Sequence, residues 1–172
     1  MNLPNKLTML RIICVPVFCV LYVLGYQIPA FIVFVLASIT DFLDGKIARK
    51  YNLVTNFGKI MDPLADKILV YAAFTLMVEN GRVAGWMLIV ILFREFIIAG
   101  MRTVAASEGT VIAAGMTGKI KTALQMVAVP MLILDYPGFW NIAADVVLWA
   151  SLVMTVVSGT EYIIKNKSVF SM

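Results

Sequence analysis

A chain of 172 residues that is 62% hydrophobic and only 14% charged has more apolar surface than a soluble domain of that size can bury. The composition therefore indicates an integral membrane protein, and the net charge of +4 fits lipid headgroups or an anionic substrate better than nucleic acid. The chain has no histidine, which excludes imidazole as a base or a metal ligand.

Six apolar runs, each about as long as the roughly 20 residues that cross a bilayer, follow one another along the chain. They cover residues 9–26, 28–48, 60–79, 83–106, 118–134 and 140–164. We therefore predict an all-α integral membrane protein with six transmembrane helices, forming one domain over residues 1–172. The opening stretch, residues 1–11, alternates leucines with polar residues and predicts a short interfacial segment before the first span.

Basic residues are concentrated in alternate connections, and this pattern predicts the orientation. They flank the connection between spans two and three, and they follow spans four and six. The connection between spans three and four contains only Arg82, and the one between spans five and six contains none. The positive-inside rule then places both termini and the connection between spans two and three on the cytoplasmic side.

Four aspartates border the connection between spans two and three, at Asp41, Asp44, Asp62 and Asp66. Their gaps of three and four residues place the members of each pair on one helix face. Carboxylates held this close repel one another unless divalent cations neutralise them. Oxygen ligands without histidine or cysteine favour Mg²⁺ or Mn²⁺. The alternative is a set of interfacial ion pairs with Lys46, Arg49, Lys50 and Lys59.

Small residues and one arginine accompany the aspartates. Gly45, Ala48 and Gly58 allow a ligand to approach the helix backbones, and Arg49 offers a fixed positive charge that suits a phosphate. Carboxylates, a divalent ion and arginine together indicate phosphoryl-group chemistry. Pro63 leaves open whether Gly58 lies on the same helix as the last two aspartates, because proline either starts a helix or kinks it.

A second group of cations predicts where an anionic acceptor binds. Arg94 and Arg102 are eight residues apart in span four, and Lys119 lies at the start of span five. Charges within a span are costly and usually functional, so we expect these three residues to form an anion pocket beside the aspartates. The alternative is that Arg94 pairs with an aspartate or with Glu95 of another helix, and that Arg102 and the lysines extend to lipid headgroups.

The spacing of the aspartate-rich stretch resembles the signature of the CDP-alcohol phosphotransferases, D-x2-D-G-x2-A-R-x8-G-x3-D-x3-D. Its fixed positions are matched by Asp41, Asp44, Gly45, Ala48, Arg49, Gly58, Asp62 and Asp66. The resemblance implies a six-helix membrane enzyme, usually a homodimer, with its active site at the cytoplasmic face. Such an enzyme breaks the pyrophosphate of a CDP-linked donor, transfers the remaining group to an alcohol and releases CMP.

The resemblance also implies roles for the matched residues. The four aspartates would hold two divalent ions, Mg²⁺ or Mn²⁺, and Asp66 would also act as the base that takes the proton of the acceptor hydroxyl. The CDP donor would be bordered by Asp41, Asp44, Gly45, Ala48, Arg49 and Gly58.

Longer stretches narrow the expected substrates. NLPNKLTMLR, DPLADKILV, REFIIAGMR and GKIKTALQM resemble the branch of this family that uses CDP-diacylglycerol as donor and sn-glycerol 3-phosphate as acceptor. Phosphatidylglycerol or inositol phosphate remains an alternative acceptor, since Arg94, Arg102 and Lys119 suit any phosphorylated alcohol. A divalent-cation transporter is the alternative from another class, but it predicts acidic residues spread along a path across the membrane.

Overall fold

A computed structural model describes the backbone of residues 3–50, 56–107, 109–110, 112–113 and 115–167, and the side chains of residues 6–40, 61, 64–65, 67–107, 109–110, 112–113 and 115–167. Six α-helices contain most of these residues. They are α1 (Leu3–Val23), α2 (Gln27–Lys50), α3 (Asn56–Glu79), α4 (Gly85–Ser107), α5 (Met116–Leu134) and α6 (Phe139–Lys165). The described backbone contains no strand, which confirms the predicted all-α class.

The first helix is longer than the first predicted span. α1 begins at Leu3 and runs without interruption to Val23, so the opening stretch is not a separate interfacial element. The reason is that two of its polar side chains, Thr8 and Arg11, are buried inside the bundle. Arg11 Nε donates a hydrogen bond to the carbonyl of Ala37 on α2 at 3.3 Å. This end of α1 is therefore anchored on α2, one helical turn before Asp41.

The third helix resolves the question that Pro63 leaves open. α3 is assigned as one helix from Asn56 to Glu79, and Pro63 lies within it. Gly58, Asp62 and Asp66 are therefore carried by a single helix, at intervals of four residues. Helices α2 and α3 contact each other, and residues 51–55 separate them in the chain.

All six helices contribute to the main apolar core. Its members include Phe18, Phe34, Phe74, Ile91, Leu132 and Leu148. The outward faces are also apolar, and α4 exposes Trp86, Ile89, Phe93 and Phe96. Among the described residues, two helical segments are long and apolar enough to cross a membrane, Lys6–Val23 and Phe139–Lys165.

A cluster of three charges joins the loops at the α3–α4 end of the bundle. Arg82 Nε donates to Asp135 Oδ1 at 2.8 Å, and its Nη1 donates to Asp145 Oδ1 at 2.7 Å. Burial acts to lower the pKa of the Arg82 guanidinium, but the hydrogen bonds with Asp145 and Asp135 outweigh burial, and the pKa lies above its usual value. The cluster ties the α3–α4 connection to the end of α5 and the start of α6.

Candidate active site

The residues of the aspartate-rich signature lie on two consecutive helices. Asp41, Asp44, Gly45, Ala48 and Arg49 lie in the last turns of α2, and Gly58, Asp62 and Asp66 lie in the first half of α3. Their side chains fall outside the described part of the structure. The predicted metal and CDP-donor contacts therefore stay predictions, supported here by the placement of the residues on two helices that contact each other.

A cavity of about 310 Å³ lies among α3, α4, α5 and α6. Its charged lining residues are Lys67, Arg94, Glu95, Arg102, Glu161 and Lys165. Lys67 directly follows Asp66 on α3, so the cavity adjoins the turn of α3 that carries Asp66. The cavity is large enough for a small phosphorylated alcohol, and four of these six side chains are cationic.

Arg94 is held at the wall of this cavity by close packing against α5 and α6. Its Nη1 donates to Oε1 of Glu95 at 2.7 Å, and its Nη2 donates to Oγ of Ser158 at 3.1 Å. A Cβ atom on Gly159 would lie 3.0 Å from Cγ of Arg94, and one on Gly118 would lie 3.2 Å from Nη2. Both glycines therefore make room for the arginine, which has a side chain that is 14% exposed.

Glu95 connects three cations from three helices. Its Oε1 accepts hydrogen bonds from Arg94 and from Nζ of Lys121, the latter at 2.6 Å. Its Oε2 lies 3.0 Å from Nζ of Lys67. Glu95 is 8% exposed and Lys121 is 4% exposed. We call Lys67, Arg94, Glu95 and Lys121 the Glu95 cluster, and its formal charge is positive because three cations share one carboxylate.

Arg102 lies on the same cavity, two turns after Arg94. Its Nε donates to the hydroxyl of Tyr162 at 3.2 Å, and its guanidinium carbon lies 5.5 Å from the centre of that ring. Nearby, Glu161 accepts a hydrogen bond from Thr117 at 2.6 Å and another from Lys165. This part of the cavity wall is thus formed by α4, α5 and α6.

The structure brings together two of the three predicted acceptor-binding residues. Arg94 and Arg102 both line the cavity, whereas Lys119 is exposed on α5 and is not among the described residues that line it. The buried lysine of the same segment is Lys121, which sequence reasoning assigned no role in the pocket. Arg94 pairs with Glu95 of its own helix, whereas the sequence suggests Glu95 of another helix as an alternative partner. The contacts of Glu95 with Lys67 and Lys121 are not predicted, because the spacing of these residues in the sequence carries no signal for them.

The cavity has the chemistry of a phosphate site. Arginine and lysine side chains form charge-assisted hydrogen bonds with phosphate oxygens, and the planar guanidinium can donate two at once. Because the wall groups come from four helices that are packed against one another, their positions are set before a ligand arrives. The arrangement therefore suits a small phosphorylated ligand, placed beside the helix that carries Asp62 and Asp66.

Comparisons with known proteins agree with this arrangement. Residues 1–157 match the family model described as CDP-alcohol phosphatidyltransferase. A Bacillus subtilis protein named CDP-diacylglycerol–glycerol-3-phosphate 3-phosphatidyltransferase is 44% identical, over 96% of this chain and 95% of its own length.

Two further relatives are also similar to this chain over nearly its whole length. A Rickettsia typhi protein of the same name is 39% identical, over 98% of this chain and 99% of its own length. A Mycobacterium tuberculosis protein named probable phosphatidylglycerophosphate synthase is 37% identical, over 94% of this chain and 80% of its own length. This chain belongs to the CDP-alcohol phosphatidyltransferase family.

Proposed function

We propose that this protein transfers the phosphatidyl group of CDP-diacylglycerol to sn-glycerol 3-phosphate, which gives phosphatidylglycerophosphate and CMP. The observation that carries the proposal is the cationic cavity lined by Arg94 and Arg102, directly beside the helix turn of Asp66. It agrees with the names of relatives that match nearly the whole chain. A phosphorylated acceptor explains why so many cations surround one small cavity.

The aspartates supply a ligand set that fits a divalent ion. Four carboxylates on two contacting helices, in a chain without histidine, offer the hard oxygen ligands that Mg²⁺ and Mn²⁺ prefer. We propose that Asp41, Asp44, Asp62 and Asp66 hold two such ions. When bound, these ions neutralise the charge of the donor pyrophosphate. Gly45, Ala48, Arg49 and Gly58, together with Asp41 and Asp44, would border the CDP group.

The proposed reaction is a direct displacement at phosphorus. Asp66 takes the proton of the glycerol 1-hydroxyl, and the hydroxyl oxygen forms a bond to the β-phosphorus, which carries the diacylglycerol. The bond between that phosphorus and the bridging oxygen of the pyrophosphate breaks, and CMP leaves with the bonding electrons. Arg49 is placed to interact with the leaving phosphate. Arg94 and Arg102 bind the phosphate of the acceptor and so orient its hydroxyl, and Lys119 contributes attraction at longer range.

The protein is proposed to act as a multi-pass protein of the cell membrane. α1 and α6 contain the two segments that are long and apolar enough to cross the bilayer. We propose that α2 to α5 cross it as well, because the outward faces of these four helices are also apolar. Both termini and the active site would face the cytoplasm, as the distribution of basic residues predicts. The acyl chains of the donor would remain in the bilayer, and two copies would form a homodimer, as is usual in this family.

The experiment that tests the activity is CMP release by the purified protein. It is incubated with CDP-diacylglycerol, Mg²⁺ and one candidate alcohol at a time. Release that requires sn-glycerol 3-phosphate is the expected result. Release only with phosphatidylglycerol or inositol phosphate would assign a different acceptor, and no release with any alcohol would reject the enzyme and favour ion transport.

The role of Asp66 is tested by Asp66→Asn, which keeps the size of the side chain and removes its ability to accept the proton. We expect kcat to fall by about a thousandfold or more, while CDP-diacylglycerol binding is partly retained. Asp145→Asn, in the charge cluster at the α3–α4 end, serves as the matched control and should keep its activity. Full turnover by the Asp66 variant would exclude this residue as the base.

A further inference from the structure

The Glu95 cluster poses an electrostatic question about the proposed acceptor site. Glu95 is a carboxylate among the residues that line a cavity proposed to bind a phosphate dianion. By Coulomb's law alone it repels that ligand, so removing its charge would strengthen binding. Its contacts indicate the opposite effect, because both of its oxygens are used to hold cations in place.

We propose that Glu95 is a positioning residue, which aims Arg94 and Lys67 at the phosphate of the acceptor. The inference rests on the proposed function and adds a residue to its acceptor site. Arg94 lies on the same helix as Glu95, but Lys67 comes from α3, which also carries Asp62 and Asp66. One carboxylate therefore fixes the distance between the phosphate-binding wall of the cavity and the helix of the proposed base.

Lys121 acts from the buried side of the same carboxylate. It is 4% exposed and does not belong to the described lining of the large cavity, so it is not placed to bind the acceptor itself. Its Nζ shares Oε1 of Glu95 with Nη1 of Arg94. Lys121 thereby holds the carboxylate from the buried side, in the position from which it contacts both Arg94 and Lys67.

The test is direct binding of sn-glycerol 3-phosphate to the detergent-solubilised full chain, measured by calorimetry, and it does not depend on turnover. Glu95→Gln keeps the shape and removes the charge, and we expect Kd to rise about tenfold, the loss typical of a charge-assisted hydrogen bond. KM for the acceptor should rise by the same factor, while KM for CDP-diacylglycerol stays within about twofold of wild type. A Kd that is unchanged or lower would overturn the proposal.

Glu161→Gln is the matched control, because it removes one negative charge from the wall of the same cavity without touching the Glu95 cluster. We expect its Kd to fall by about twofold, as loss of a repelling charge requires. If Glu161→Gln weakens binding as much as Glu95→Gln does, the effect is not one of positioning and the proposal fails.

Lys121→Gln tests whether Lys121 acts through Glu95. It also provides a test of the cluster if Glu95→Gln does not fold. We expect it alone to weaken binding severalfold, and the double variant to bind no worse than Glu95→Gln, since the lysine acts only through the carboxylate. Additive losses in the double variant, or wild-type binding by Lys121→Gln, would contradict the proposed role of Lys121. Failure of the proposed function is a separate result, in which the wild type binds the acceptor but releases no CMP.

Discussion

Two charge clusters lie in different parts of this helical bundle, one at the α3–α4 connection and one near the middle of α3 and α4, and their net charges have opposite signs. At the α3–α4 end, Arg82 pairs with two carboxylates, Asp135 and Asp145, so the group has a formal charge of −1. In the Glu95 cluster, one carboxylate pairs with Lys67, Arg94 and Lys121, so the formal charge is +2.

Cavity size does not distinguish these two regions. A hollow of about 330 Å³ lies beside Arg82, and the cavity beside Arg94 measures about 310 Å³. The difference lies in the charge that remains after the ion pairs are made. Arg82 donates to two acids, one at the end of α5 and one on α6, and has the chemistry of a clamp. The cations around Glu95 outnumber their one carboxylate partner and can bind an anion.

Arg94→Gln provides the strongest test of this comparison. Loss of a guanidinium that binds phosphate should raise KM for sn-glycerol 3-phosphate by about a hundredfold, with a much smaller change in KM for CDP-diacylglycerol. Steady-state CMP release with each substrate varied in turn measures both constants. Arg82→Gln, in the other charge cluster, is the control, and its acceptor KM should stay close to the wild-type value. Equal effects on both substrates would argue against an acceptor pocket at Arg94.

Gly159→Ala tests whether the position of Arg94 matters as well as its charge. The added Cβ would meet the arginine side chain at 3.0 Å, which forces the stem of Arg94 to shift. We expect the acceptor KM to rise about tenfold while every charge is preserved. Gly100→Ala on α4 is the control, because a Cβ there meets no atom within 4 Å. Identical kinetics for the two variants would show that the site tolerates movement of Arg94.

Arg82→Gln tests whether the ion pairs of Arg82 with Asp135 and Asp145 stabilise the protein. It leaves Asp135 and Asp145 without their shared partner, and we expect the free energy of unfolding to fall by about 1 kcal/mol, since all three groups are partly exposed. Thermal unfolding in one detergent, compared with wild type, measures the change. An unchanged melting temperature would show that the cluster is not a clamp between the α3–α4 and α5–α6 connections.

Lys119→Gln should have the smallest effect. Lys119 is exposed outside the described lining of the cavity, so its proposed part in acceptor binding is long-range attraction. We expect the acceptor KM to rise about twofold at low salt and the difference to vanish at high salt, where such attraction is screened. A rise as large as that of Arg94→Gln, independent of salt, would mean that Lys119 enters the site and contacts the acceptor.

The amino-acid sequence by itself determined the helical class and most of the helix bounds, because long apolar runs and their polar breaks are local features. It also determined the spacing of the aspartates, since intervals of three and four residues place side chains on one helix face wherever that helix packs. The prediction that differs most from the structure concerns the opening stretch, because residues 3–11 are part of α1 and Thr8 and Arg11 are buried.

Only the tertiary structure decided which cations share a site. Lys119 and Lys121 are two residues apart, so they lie on nearly opposite sides of α5, and the sequence does not state which side faces the bundle. The packing of α5 places Lys121 inside, against Glu95. Gly118 and Gly159 acquire their role in the same way, because the space that a glycine leaves matters only when another helix places an arginine in it. The aspartates could be recognised from their spacing along the chain, whereas the Glu95 cluster exists only because α3, α4 and α5 meet.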